Sequence, residues 1–74
     1  MPRLRILSAN KVCEILLEHG FAKSRQAGSH IVMRRETPEG TRIVIVPNHH
    51  EVRRGTLKSI IEQSGLSRDL FMTR

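Results

Sequence analysis

Gly28-Ser29-His30 sets a histidine directly after a glycine turn, with Lys23, Arg25, Arg34 and Arg35 on either side and no acidic residue between His19 and Arg35. Imidazole both takes and gives a proton near neutrality, and fixed cations around a histidine disfavour its protonated form, leaving the neutral ring that a general base requires. The same cations suit phosphate. Among phosphodiesters, RNA asks least of such a site, because its own 2′-hydroxyl is the nucleophile. A base that removes that proton, together with positive charge facing the crowded phosphorus, can cleave the chain without a metal. These residues alone leave a second reading open, in which His30 is an ordinary surface histidine on a polar strand.

Three further groups carry chemical potential. His49 and His50 follow Pro47-Asn48, and read either as an auxiliary acid/base or phosphate contact, or as a solvated loop that Glu51 helps to hydrate. Adjacent histidines rarely converge on one ion and no carboxylate cluster completes a site, so no metal is expected. Arg53-Arg54-Gly55-Thr56 opens a helical segment, where backbone N–H groups and arginines attract phosphate; a cap with solvated charges is the other reading. His19 falls at a helix end, suited to the last carbonyls, and Cys13 lies in or beside an apolar stripe, as core more than nucleophile.

Composition narrows the partners. Thirteen Lys and Arg against seven Asp and Glu give a formal charge of +6 on 74 residues, which favours a polyanion, above all nucleic acid. Phe21 and Phe71 are the only aromatic residues among Phe, Tyr and Trp, so a base-stacking platform cannot be assembled. Any nucleic acid must then be held through phosphates and sugars. The length suits one domain, 1–74, and a chain this short buries only about 60% of the surface its unfolded form exposes. A single cysteine rules out an internal disulfide. With no apolar run long enough to span a membrane and no signal-peptide core, a soluble cytoplasmic protein without a cofactor is expected.

The elements that position these residues follow from periodicity. Val12, Ile15 and Leu16 recur at helical spacing after the capping residues Ser8 and Asn10, and Gly20-Phe21 makes a Schellman-type stop, with Phe21 returning to Leu16. Leu57, Ile60 and Ile61 mark a second helix, starting between Val52 and Thr56 and ending at Gly65, with Leu66 folding back onto Ile61. A short turn capped by Ser67 points Leu70 and Phe71 inward. Between the helices the period falls to two. Ala22 to Gln26 forms a polar edge strand, Ser29 to Arg35 a second, and Thr41 to Val46 a β-branched third, stopped by Pro47, with Thr37-Pro38-Glu39-Gly40 as the turn. The order is α-β-β-β-α, an α+β fold with a three-stranded antiparallel sheet and both helices on one face. On the second strand Ile31 and Met33 oppose His30, Val32 and Arg34; on the third Val44 and Val46 oppose Ile43 and Ile45. Whichever set is covered, β-branched side chains stay outside, as an interface would require.

Taken together, Leu16, His19-Gly20-Phe21, Gly28-Ser29-His30, Val44-Ile45-Val46-Pro47-Asn48-His49 and Gly55-Thr56-Leu57 through Gly65-Leu66 resemble the HicA (YcfA-like) toxin family in order and spacing, over roughly Asn10 to Leu66. The resemblance implies a fold similar to the double-stranded RNA-binding domain, metal-independent cleavage of mRNA, and neutralisation by a HicB-type antitoxin. It implies that His30 is the catalytic histidine, and His49 matches the family's Pro-x-His position. Three features depart from it: no aromatic residue follows His30, His50 is extra, and Met1 to Leu7 adds a basic lead-in. On this reading Lys23, Arg25, Ser29, Arg34, Arg35, Arg53 and Arg54 contact RNA. The rival classes are a non-catalytic RNA-binding module and a protein-interaction domain using the exposed sheet face.

Overall fold

A computed structural model describes residues 7–72, and most of the basic lead-in, residues 1–6, lies outside them. Helix α1 (Ala9–Glu18) is followed by β1 (Ala22–Ala27), β2 (His30–Thr37), β3 (Gly40–Pro47) and α2 (Arg54–Ser64), and then by a single 3₁₀ turn, Arg68–Phe71. The sheet is antiparallel in the order β1-β2-β3. This is the α+β order expected from the sequence, and it is consistent with a double-stranded RNA-binding-domain-like arrangement.

Helix α1 begins where Ser8 Oγ accepts the Lys11 N–H at 3.1 Å, satisfying one of the orphan donors of the first turn. It ends as the Schellman stop expected from Gly20-Phe21: the Phe21 N–H donates to the Leu16 carbonyl at 3.0 Å and the Gly20 N–H to Leu17 at 3.4 Å. Helix α2 ends differently. Gly65 takes a left-handed φ of 73° and its N–H is shared between the Ile61 and Glu62 carbonyls. The Leu66 N–H, however, goes to a side chain. Buried Ser64 accepts it at 3.0 Å and donates its own hydroxyl to the Ile61 carbonyl at 2.8 Å.

The strands run one or two residues beyond the sequence-based limits, and β2 starts at His30 instead of Ser29. Ser29 is instead the second residue of a two-residue turn. Gly28 has a φ of 58° and Ser29 has no positive φ, the pattern of a type II′ hairpin turn, whose twist matches that of the flanking strands. The turn sets Ala27 opposite His30. On the other side, β2 and β3 pair without interruption from His30↔Pro47 to Thr37↔Gly40.

Alternation then decides the faces. Ile31, Met33, Val44 and Val46 are buried against the helices, joining Val12, Leu16, Leu57, Ile60 and Ile61, with Phe21 and Phe71 also in the core. Ile43 and Ile45, 51% and 48% exposed, lie on the uncovered face beside half-buried Val32. Leu70 departs from expectation. Only Phe71 turns inward, while Leu70 stays 38% exposed, because a 3₁₀ turn advances about 120° per residue and cannot bury two neighbours on one side.

Ser64→Ala tests the side-chain stop of α2. It strands the part-buried Leu66 N–H, so unfolding free energy should fall by about 1–3 kcal/mol, seen as a lower urea midpoint at unchanged slope. An unshifted midpoint would show that the hydroxyl is dispensable.

Candidate active site

His30 is exposed and lies on the uncovered face at the lip of β2, with Ala27 across β1 and Pro47 across β3. Its place follows from two local causes: the tight Gly28-Ser29 turn makes it the first strand residue, and burial of Ile31 turns it outward.

The sequence-predicted cations divide between the two faces, and the division hinges on a bulge. Register shifts between Lys23 and Arg25, so that Lys23 pairs with buried Met33 while Arg25 pairs with Val32. Two residues apart on a regular strand they would share a face; Ser24, the extra residue, sends them to opposite ones. The regular register from the Gly28-Ser29 turn makes Arg25 a diagonal neighbour of His30. Lys23 stands on the helix side instead, lining a groove between α1 and β1 with Cys13, Leu17 and Met33, and donates to Gln26 Oε1 at 3.0 Å. Nothing in the polar Ala22–Ala27 segment marks the bulge, since it has no apolar alternation to break.

Arg34 shares the His30 face, four residues along and hence about 13 Å away. It is paired: Nη2 lies 2.8 Å from Glu36 Oε1, and Nε donates to the same oxygen at 2.9 Å. Thr41 Oγ1 donates to the other carboxylate oxygen at 2.8 Å. The Thr41 and Arg34 hydrogen bonds hold the Glu36 carboxyl below the usual glutamate range. The acid-free stretch around His30 therefore ends at a residue that partly neutralises one of its four cations.

Arg35 is on the helix side. A Cβ on Gly20 would stand 3.3 Å from its Nε, so its guanidinium lies over the stop of α1. Its register partner Arg42, which the sequence did not single out, reaches the stop of α2, where Nη1 donates to the Gln63 carbonyl at 3.3 Å. Cations at helix C-termini are where the macrodipole favours them. His19 completes this end, with its Nδ1–H donating to the Ile15 carbonyl at 2.8 Å.

The opposite pole gathers the remaining candidates. The Asn48 N–H donates to the Ser29 carbonyl at 2.6 Å, Ala9 at the start of α1 donates to the His49 carbonyl at 2.9 Å, and Val52 donates to Leu7 at 2.6 Å just before α2. Both helix N-termini therefore meet the His30 end of the sheet, together with His49, His50, Arg53 and Arg54. Arg53 occupies the cap position of α2 without a side-chain bond, and among the described residues no hydroxyl, that of Thr56 included, accepts an N–H of that helix end. Among the described residues no cluster of three His, Cys, Asp or Glu is placed to hold a metal ion. Cys13 packs against the core, and burial pushes its thiol up despite the opposing effect of Lys23, which leaves it a poor nucleophile. No described helix is long and apolar enough to cross a membrane.

A family model described as the HicA toxin of bacterial toxin–antitoxin systems matches residues 9–66. The chain belongs to the HicA toxin family. It is thus the toxin of a toxin–antitoxin pair, a protein whose activity is opposed by a partner. The matched HicA region takes in both helices, the whole sheet and every candidate residue from Lys23 to Arg54. A search of curated proteins finds no match.

The outer-face cluster has its own test. Because the folded-state pKa of Glu36 is depressed, the Arg34–Glu36–Thr41 contacts are complete at neutral pH and are lost as pH falls through that depressed value. A carboxyl NMR titration should place the Glu36 midpoint below that of an unstructured glutamate, and Thr41→Val should move it back up. A normal midpoint in the native protein would refute the cluster.

Proposed function

We propose that this HicA-family chain is a metal-independent endoribonuclease that cleaves mRNA in the cytoplasm, with His30 as the general acid/base, and that a HicB-type antitoxin neutralises it. The observation that carries this reading is the position of His30: solvent-open, at a tight turn-strand junction, at the pole where two helix N-termini converge. His30 removes the proton from a ribose 2′-hydroxyl, whose oxygen attacks the adjacent phosphorus. The bond to the 5′-oxygen of the next nucleotide breaks, leaving a 2′,3′-cyclic phosphate. Proton transfer of this kind contributes about 10²–10⁴-fold, and preorganised positive charge supports it.

Arg25, beside His30 on the outer face, is the nearest phosphate-positioning cation, with the exposed backbone and hydroxyl of Ser29 at the turn. Arg34 shares that face through its ion pair. Arg53 and Arg54 add charge at the uncapped start of α2, where free N–H groups favour an anion. Lys23 and Arg35 face the helices, so we leave them out of the RNA contact despite their closeness in sequence. The strip of Val32, Ile43 and Ile45 supports docking of the antitoxin on the same face. Covering it would also cover His30.

Incubation of the purified protein with RNA in a chelator tests the reaction. Wild type should yield fragments with cyclic phosphate ends; His30→Ala should keep salt-sensitive RNA binding while cleavage falls by at least about 10²-fold. Intact RNA with the wild type would leave only the binding-module reading. For the surface, Arg25→Ala should weaken RNA binding and lower the salt slope by about one, whereas Lys23→Ala should leave both unchanged. Equal effects at the two positions would contradict the division of faces.

A further inference from the structure

RNA cleavage of the kind proposed needs a second proton transfer, to the departing 5′-oxygen, and the fold offers one histidine held in place for it. Of the four histidines, His19 is committed to the Ile15 carbonyl at the far pole. His30, His49 and His50 remain at the near pole. His49 differs from His50 in how its backbone is held. Its N–H donates to the Pro47 carbonyl at 2.8 Å, closing a three-residue turn over Asn48, and its own carbonyl accepts the Ala9 N–H at 2.9 Å. Asn48, inside that turn, is tied to Ser29, the residue next to His30, and Pro47 is the register partner of His30 itself.

The two histidines are thus linked through main-chain bonds alone. Adding a cross-strand spacing of about 5 Å to two residues of chain, about 7 Å at most, puts their Cα atoms within about 12 Å. Side chains of that length can stand on either side of one phosphodiester. His50 and Glu51 follow in a bend, and neither shows such a backbone bond among the described residues. The clamp satisfies the N–H of buried Ala9 at the start of α1, and it also fixes the backbone of an exposed loop histidine, which narrows the positions its imidazole can take for proton transfer.

We infer that His49 is the proton donor to the leaving group, an inference that rests on the endoribonuclease reading above. His30 takes the 2′-hydroxyl proton as the new P–O2′ bond forms. The P–O5′ bond breaks, and the His49 imidazolium gives its proton to O5′, releasing a 5′-hydroxyl end. The enzyme leaves the step with His30 protonated and His49 neutral, and exchange with solvent restores both.

The test replaces the leaving oxygen. A short RNA is compared with the same RNA carrying sulfur at the scissile 5′ position, since a thiolate departs without needing a proton. His49→Ala should slow cleavage of the oxygen substrate by about 10²–10⁴-fold and leave the sulfur substrate within a few-fold of wild type. His30→Ala should slow both, and His50→Ala should slow neither. Because the clamp uses only main-chain atoms, His49→Gln keeps the fold, and its urea midpoint checks this; it should show the same selective loss. Equal slowing of both substrates by His49→Ala and His49→Gln would make His49 a positioning residue and overturn the assignment, as would no slowing at all or a selective loss at His50. If wild type cuts neither substrate, the endoribonuclease reading itself falls. If wild type cuts both and His49 variants do not discriminate, only His49 is lost.

Discussion

Burial of Ile31 and Met33 beneath the two helices is the constraint on which the arrangement depends. Strand side chains alternate with a period of two, so seating these residues in the core sends His30, Val32 and Arg34 to the other face. A slip of one residue would bury the histidine and expose the core, at a cost of several kcal/mol in lost apolar burial. The Gly28-Ser29 turn holds the same register from the other end, because a two-residue hairpin allows one pairing of Ala27 with His30. Position of the candidate base and integrity of the core are therefore one property of β2.

The +6 charge acquires meaning only when its cations are located. Arg35 and Arg42 are register partners on the helix side, and like charges directly opposite each other are unfavourable. They diverge, one toward the stop of α1 and the other toward the stop of α2, where the partial negative charge of each helix end offsets the repulsion. With those two and His19 at one pole, the helix N-termini present partial positive charge at the other, beside His30 and His49. The proposed RNA site thus gathers helix N-termini as well as Arg25, Arg53 and Arg54. Total charge would have ranked Arg35 equal to Arg25; their surroundings show that one is occupied with the fold and the other is not.

What could be read in the sequence was whatever rests on strong periodicity or on a residue with one conformational use. The order of elements, the Gly20-Phe21 stop and the composition of both sheet faces are of this kind, whereas of the two caps the sequence offered, Ser8 and Asn10, the structure takes Ser8 and places Asn10 inside α1. What could not be read depends on contacts between distant segments or on polar stretches without a pattern. The bulge at Ser24 lies in a strand with no apolar alternation, and it turns Lys23 to the helix side, whereas the hairpin register alone sets Arg25 on the His30 face. The Arg34–Glu36–Thr41 cluster joins residues across a hairpin, and Glu36 lies one position past the basic stretch that drew attention to His30. Ser64 looked like any polar residue near a helix end, yet its hydroxyl completes that end from inside the core. The loop clamp on His49 is purely main-chain and leaves no mark on residue type.

Docking on the outer face, as proposed, would join inhibition to stability. Val32 pairs with Ile45 and Arg34 with Ile43, so the exposed apolar strip runs along the strands that carry His30, and Pro47 beside it closes the strip at the histidine itself. Because β3 is an edge strand of the sheet, a partner can reach Ile43 and Ile45 from that side. One that also covers Val32 lies across β2, and the contact that removes this apolar surface from water then shuts out a polyanion as well. A 74-residue domain has little stability to spare, and a partner that binds only the folded form raises its effective stability by mass action. Under the docking proposed above this coupling has a direction: the form protected against unfolding would be the form with the histidine pole closed, and release of the partner would expose the site and withdraw that support in the same step.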